Sequence, residues 1–199
     1  MVVPLILASG SSIRAALLRQ AGLVFTVVPA ELDEARIKRG LVGQDAAPAR
    51  IAATLATEKA LAVSRQHPDA LVIGCDQVLD HGGRLLSKPA DPREAREQLT
   101  TLRGTQHRLT TAAAVACGQK VIWTQIGEVG LHMRLLSDNY LDDYIARNWH
   151  SIREAVGAYK LEEEGVRLFT AIRGDYFHIL GLPMLELVGF LVDEGVIEQ

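Results

Sequence analysis

Leu5-Ile6-Leu7-Ala8-Ser9-Gly10-Ser11-Ser12-Ile13-Arg14 is an apolar run, a small-residue turn and a helix start in immediate succession. The aliphatic segment Val2 to Leu7 has the length and content of a buried strand. Ser9-Gly10-Ser11-Ser12 is turn chemistry, and its serines are helix-capping residues. The predicted helix runs from Ile13 to Ala21, turns Leu17 and Leu18 inward and stops at Gly22. Its first turn carries Arg14 and no carboxylate, which is the wrong sign for a helix dipole. Two readings of that cation stand side by side. Either Arg14 reaches solvent from a capped helix, or an anion such as phosphate sits at the N–H groups and serine hydroxyls.

Outward from this stretch the chain alternates between strand and helix patterns. Val24 to Pro29 reads as a strand and leads into the acidic segment Ala30-Glu31-Leu32-Asp33-Glu34. Ala35 to Gly43 fits a short helix or a loop. A helix is predicted from Ala49 to His67, with Ile51, Leu55 and Val63 on its apolar stripe. Lys59 falls inside that stripe, so either its stem snorkels or its ammonium enters a polar cleft. Ala70 to Asp76 is the strongest buried strand, and it ends on a carboxylate. Gln77 to Leu86 reads as a hairpin around Gly82-Gly83. Ser87-Lys88-Pro89 is extended, and Asp91-Pro92-Arg93-Glu94 opens a helix that runs to about Leu102.

His107 to Cys117 and Lys120 to Met133 are strands about the Gly118-Gln119 turn, the second bulged at Gly127 or Gly130. Ser137 caps a helix to about Asn148. Val166 to Ile172 and Phe177 to Leu180 read as strands, and Met184 to about Glu194 as the last helix. Glu162-Glu163-Glu164 reads as a solvated acidic run. The mixture, with adjacent hairpins, predicts an α/β fold on a mixed sheet and not a pure Rossmann order.

Composition narrows the function classes. A chain of 199 residues buries a sizeable core. A net charge of -3 supplies no basic field for long nucleic acid, although a few local cations suffice for one nucleotide. Cys75 and Cys117 lie far apart in apolar stretches, without metal-type spacing. No apolar run approaches a membrane span, and no secretory signal opens the chain; a cytoplasmic protein without a membrane partner is expected.

Five charged residues stand at exceptional places: Arg14 at a helix start, Glu34 after a strand, Lys59 on an apolar stripe, Asp76 at a strand end and Lys88 before a proline. Phosphoryl chemistry needs this mixture. Cations neutralise polyphosphate, while carboxylates hold a divalent metal and align or deprotonate water. Hard oxygen ligands favour Mg²⁺ or Mn²⁺ over zinc. Each residue also has a plain alternative as a solvated or turn side chain. Asp76 has the weakest one, because a charge directly after a buried run needs a partner. Walker-type loops and paired histidine spacings are absent.

These residues resemble the Maf-like nucleoside triphosphate pyrophosphatases. Leu5 to Ser11 with Arg14 is similar to the family's amino-terminal signature. Asp33-Glu34, Glu58-Lys59-Ala60, Gly74 through Val78, Lys88-Pro89, Gly157-Ala158-Tyr159 and Gly174 through Pro183 follow in the family's order. The resemblance implies one Maf-like domain over residues 1–199: a strongly twisted mixed sheet with flanking helices, in two lobes around a deep cleft. It implies metal-dependent cleavage between the α and β phosphates of a nucleotide, and a homodimer. Asp76 matches the family's general base and, with Glu34, the metal position. Arg14, Lys59 and Lys88 match the family's phosphate-contacting cations, and the Ser9 to Arg14 stretch, with Ser9 and Ser11, is expected to grip the triphosphate. Regulation of septation by nucleotide binding is the alternative role that the resemblance carries.

The chain departs from many members at three points. Ser12-Ile13-Arg14 stands where they have Pro-Arg-Arg, Cys75-Asp76-Gln77 where the dTTP/UTP group has Ala-Asp-Thr, and Glu162 where that group has glutamine. Asp76-Gln77, with Lys160 and Glu162, resembles the group that acts on 7-methyl-GTP. Glu162 is accordingly expected among the substrate-binding residues, with a preference for a purine base.

Overall fold

The structure is a computed structural model that describes residues 3–198. Its elements are β1 (Leu5–Leu7), α1 (Ser12–Gln20), β2 (Thr26–Val27), α2 (Glu34–Val42), α3 (Pro48–Ser64), β3 (Leu71–His81) and β4 (Arg84–Leu86). They continue with α4 (Pro92–Leu102), β5 (Gln106–Cys117), β6 (Lys120–Met133), α5 (Asp138–Ile152), β7 (Phe169–Arg173), α6 (Tyr176–Ile179) and α7 (Met184–Asp193). Val2, placed on the first strand by its sequence, lies outside the described residues.

The strands make a mixed seven-stranded sheet in the order β2-β1-β3-β5-β6-β7, with β4 on β3. β1 runs parallel to β2 and β3, whereas β4 and β7 pair antiparallel with β3 and β6. The α/β class expected from the alternating pattern is the class observed. By its contacts the chain divides into two compact units. The first takes the described parts of Met1–Gln77, Thr111–Gly127 and Gly181–Gln199; the second takes Val78–Thr110 and Glu128–Leu180. Among the described residues no helix is long and apolar enough to cross a membrane.

In the first unit, β1, β3 and α3 bury Ile6, Ala8, Val63, Ala70 and Val72 together. α3 lies on the backbone of β3. A Cβ on Gly74 would stand 2.1 Å from the Ala56 carbonyl oxygen and 2.6 Å from the Ala60 nitrogen, so only glycine permits this approach. α1 ends as its sequence predicts. Gly22 takes φ +76, donates to Arg19 O at 2.9 Å, and Leu23 donates to Leu18 O at 3.1 Å, a Schellman closure.

In the second unit, Leu79, Leu99, Leu131, Leu141, Tyr144 and Ile152 are fully buried at the centre of a larger core. Asp91 caps α4 by accepting from Glu94 N at 2.8 Å, and Glu94 accepts in return from Ala90 N at 2.8 Å. Ser137 caps α5 through Tyr140 N, as expected, but α5 continues a turn past Asn148 to Ile152.

Four sequence expectations need correction. β3 does not end at Asp76. It continues to His81, because after its parallel pairing with β1 stops at Ile73↔Leu7 it takes β4 as a partner from Leu79. The strand predicted at Phe177–Leu180 is the short helix α6; Asp175 caps it by accepting from Phe177 N at 2.7 Å. Residues 164–168 form a 3-10 turn, so β7 starts only at Phe169. On the β7 side, the irregularity of β6 falls between His132 and Met133, while Gly130 pairs in register with Arg173.

Candidate active site

Asp76 lies where the parallel part of the sheet ends. Past Ile73, β3 loses β1 as a ladder partner, and the chain after β1 turns away through Ser9. Carboxyl ends of parallel strands are where open α/β sheets gather ligands. Asp76 shares the strand face of Gly74, since side chains alternate with period two. The close approach of α3 over Gly74 therefore brings Lys59 within reach of Asp76.

Lys59 is 8% exposed, and its ammonium is committed to two carboxylates. Its Nζ donates to Asp76 Oδ1 at 2.7 Å and stands 2.9 Å from Glu34 Oε2. Of the two readings of this stripe lysine, the structure bears out the inward one. Asp76 is also 8% exposed. Burial raises its carboxyl above the ordinary aspartate value, against the opposing pull of Lys59 and Arg14. A carboxylate held in this way is a more basic proton acceptor than a surface aspartate. Glu34 is the first residue of α2, behind an Asp33 cap that accepts from Arg36 N at 2.9 Å, and its side chain stays half exposed.

The Ser9–Arg14 stretch forms its own network. Ser9 is buried, and its Oγ accepts from Ser11 N at 3.3 Å and from Arg14 Nη1 at 3.2 Å. Ser11 caps α1, with its Oγ 3.5 Å from Arg14 N. Arg14 does not simply reach solvent. Its Nη1 donates to the Cys75 carbonyl at 3.1 Å and its Nε to the Gly181 carbonyl at 2.7 Å. Cys75 O points to the same strand edge as Ile73 O, which accepts from Ala8 N at 2.8 Å. The guanidinium thus takes over one ladder bond beyond the end of β1.

Ser9, Ser11, Arg14, Glu34, Lys59 and Asp76 all belong to the first unit, where the contacts above join them. Lys88 and Glu162 belong to the second unit. Lys88 is exposed in the loop between β4 and α4. The segment around Glu162 is a turn. Glu162 and Glu163 are exposed, as a solvated run would be, but Glu163 and Glu164 are also bonded to α5. Glu163 accepts from Ser151 Oγ at 2.7 Å, and Glu164 takes Arg147 at 2.7 Å and Asn148 at 2.8 Å. These bonds hold the Glu164 carboxyl down at about 2.

Sequence reasoning missed two partners. Thr111 accepts from Gln77 Nε2 at 2.8 Å and fixes that amide beside Asp76. Gly181, at φ +87, faces the Arg14 guanidinium: a Cβ there would stand 3.0 Å from Nε and Nη2. The glycine in Gly181-Leu182-Pro183 was the available signal. Cys75, in its apolar stretch, is fully buried, and burial pushes its thiol up to about 11, which leaves it inert.

The donor set suits a hard divalent cation. Mg²⁺ is commonly held through one or two carboxylates, with water and substrate phosphate filling the rest of its shell. Glu34 and Asp76 offer two carboxylate oxygens already converged on one cationic nitrogen. No group of three or more metal-type side chains occurs among the described residues.

The family described as Maf-like protein matches residues 4–194. A nucleoside triphosphate pyrophosphatase of Ruegeria sp. (strain TM1040) is 56% identical over 98% of both chains. One from Ruegeria pomeroyi is 53% identical over 100% of both. A 7-methyl-GTP pyrophosphatase of Rhizobium meliloti is 43% identical over 98% of both.

Proposed function

The chain belongs to the Maf-like protein family, and on that premise we propose that it cleaves nucleoside triphosphates between the α and β phosphates. It is an enzyme, a nucleoside triphosphate pyrophosphatase. The observation that carries the chemistry is Asp76, buried at the end of the parallel sheet and bonded to Lys59 at 2.7 Å. In this reading Asp76 accepts a proton from water as the water oxygen bonds to the α phosphorus. The bond from that phosphorus to the bridging oxygen breaks, and pyrophosphate leaves with the electron pair.

Glu34 and Asp76 would hold the divalent cation. When bound, Mg²⁺ or Mn²⁺ supplies charge neutralisation and polarisation of phosphate oxygens. Ser9, Ser11 and the amino-terminal N–H groups of α1 suit the triphosphate. Arg14 adds positive charge behind them while its Nε and Nη1 hold the backbone. Lys59 and Lys88 take the phosphate-binding roles carried over from the family. Proton transfer from a positioned base contributes roughly 10²–10⁴ in rate, which sets the loss expected without Asp76.

The finer substrate assignment is 7-methyl-GTP. Gln77 and Glu162 stand where the group acting on that nucleotide differs from the dTTP/UTP group, and relatives at 43% identity bear its name. A purified-enzyme panel of 7-methyl-GTP, GTP, dTTP and UTP, read as pyrophosphate release with and without Mg²⁺, tests both levels. The highest kcat/KM is expected for 7-methyl-GTP. A preference for dTTP or UTP overturns the finer assignment. Release of pyrophosphate from none of them overturns the reaction.

A further inference from the structure

Lys59 is an unusual neighbour for a metal site. Its ammonium stands 2.7 Å from Asp76 Oδ1 and 2.9 Å from Glu34 Oε2, oxygens of the two carboxylates that the proposed reaction assigns to the cation. The Lys59 side chain is 10% exposed and that of Asp76 11%, so solvent screens this contact little. A divalent ion set against these carboxylates would stand close to the ammonium, and like charges at such a distance repel strongly where solvent is scarce, so the two compete for the place.

We propose that Lys59 holds the place of the metal in the nucleotide-free enzyme and yields it only when a triphosphate arrives. The inference rests on the metal-dependent reading above. Its physical basis is exchange between ion pairs. Without nucleotide, removing the ammonium from Glu34 and Asp76 would strand a largely buried positive charge, which is costly. With nucleotide, phosphate oxygens offer that charge a new partner, and the carboxylates become available. The four-carbon lysine stem and three rotatable donors suit such a handover better than a guanidinium fork would. The device also keeps the two carboxylates from repelling each other while they wait. It follows that the cation enters together with the nucleotide and does not load the free protein first.

The test is Mn²⁺ binding to nucleotide-free protein, measured by electron paramagnetic resonance, for wild type and Lys59→Met. The methionine keeps the apolar stem and removes the charge. Affinity is expected to rise roughly tenfold or more in Lys59→Met. The gain should vanish in the double variant Lys59→Met with Glu34→Gln. As an independent readout, Mn²⁺ alone should raise the melting temperature of Lys59→Met more than that of wild type. Lys59→Gln provides the same comparison should the methionine variant not fold. Unchanged or weaker Mn²⁺ binding in the folded variants overturns the proposal. That result leaves the pyrophosphatase reading to the separate nucleotide panel, which uses the wild-type enzyme.

Discussion

Arg14 donates its Nε–H to the carbonyl oxygen of Gly181 at 2.7 Å, and so ties the start of α1 to the turn before α7. The same guanidinium reaches Cys75 O at 3.1 Å, one residue from Asp76. A lysine cannot reproduce this fork, because it offers one point of charge in place of spread donors. Arg14→Lys is therefore expected to lose about 2 kcal/mol or more of stability, the worth of one or two charge-assisted hydrogen bonds. Urea denaturation reads that loss. If Arg14 worked only as a charge facing phosphate, the lysine variant would keep wild-type stability.

Asp76→Asn keeps the side chain's shape and removes its capacity to accept a proton. Turnover is expected to fall by roughly 10²–10⁴, with the circular dichroism spectrum unchanged. Near-normal pyrophosphate release would remove Asp76 from the role of base. With Asp76 as the base, its raised carboxyl is expected to place the acid limb of kcat/KM in the wild type above the ordinary aspartate value, which a pH profile of pyrophosphate release measures. Below that limb Asp76 is protonated and cannot accept from water.

Gly74→Ala tests the link between packing and the site. The new Cβ would meet backbone atoms of α3 at 2.1 Å and 2.6 Å, so the helix must move and carry Lys59 with it. Overpacking of this kind costs about 3 kcal/mol. Thermal unfolding should show the loss, and pyrophosphate release should fall with it. A fully stable and active variant would mean that α3 adjusts without disturbing Lys59.

His107 gives the second unit a pH dependence of stability. It is buried; its Nε2 lies 2.8 Å from Tyr159 Oη, and its ring packs on Tyr159 and Phe169. Burial, aided by the nearby His81, lowers its value from 6.5 to about 4. Below about 6.5 the unfolded chain takes up a proton that the folded protein refuses. Stability is therefore expected to fall as pH drops from about 6.5 toward 4, by about 3 kcal/mol in all. Urea midpoints across that range measure the slope, and His107→Phe should flatten it. An equal slope in the variant would assign the effect elsewhere.

The parts of the fold that the sequence revealed were decided within a few residues. Asp91 with Glu94, Ser137 with Tyr140, and Gly22 after α1 satisfy helix-end groups locally, so their signals are readable without the fold. Gly118-Gln119 is similar: both residues have positive φ, and the turn joins β5 to β6. Short segments were harder. Phe177 to Leu180 is too brief to show a period, and the Asp175 cap decides for helix. Ala35 to Gly43 left helix and loop open, and the Asp33 cap closes that question as α2.

The candidate site was legible as a set of misplaced charges. A lysine on an apolar stripe and an aspartate after a buried run both need partners, because an isolated charge is expensive to bury. Composition and pattern therefore require that Lys59 and Asp76 be satisfied, and that strands and helices alternate around them. Which group satisfies which depends on the packing of the folded chain. That packing put Lys59 between Asp76 and Glu34, turned Arg14 onto Cys75 and Gly181, and drew Glu163 and Glu164 onto α5. The physical reason is range. Capping and turn preferences act over a few bonds, whereas an ion pair depends on where the sheet ends and how closely α3 lies over Gly74.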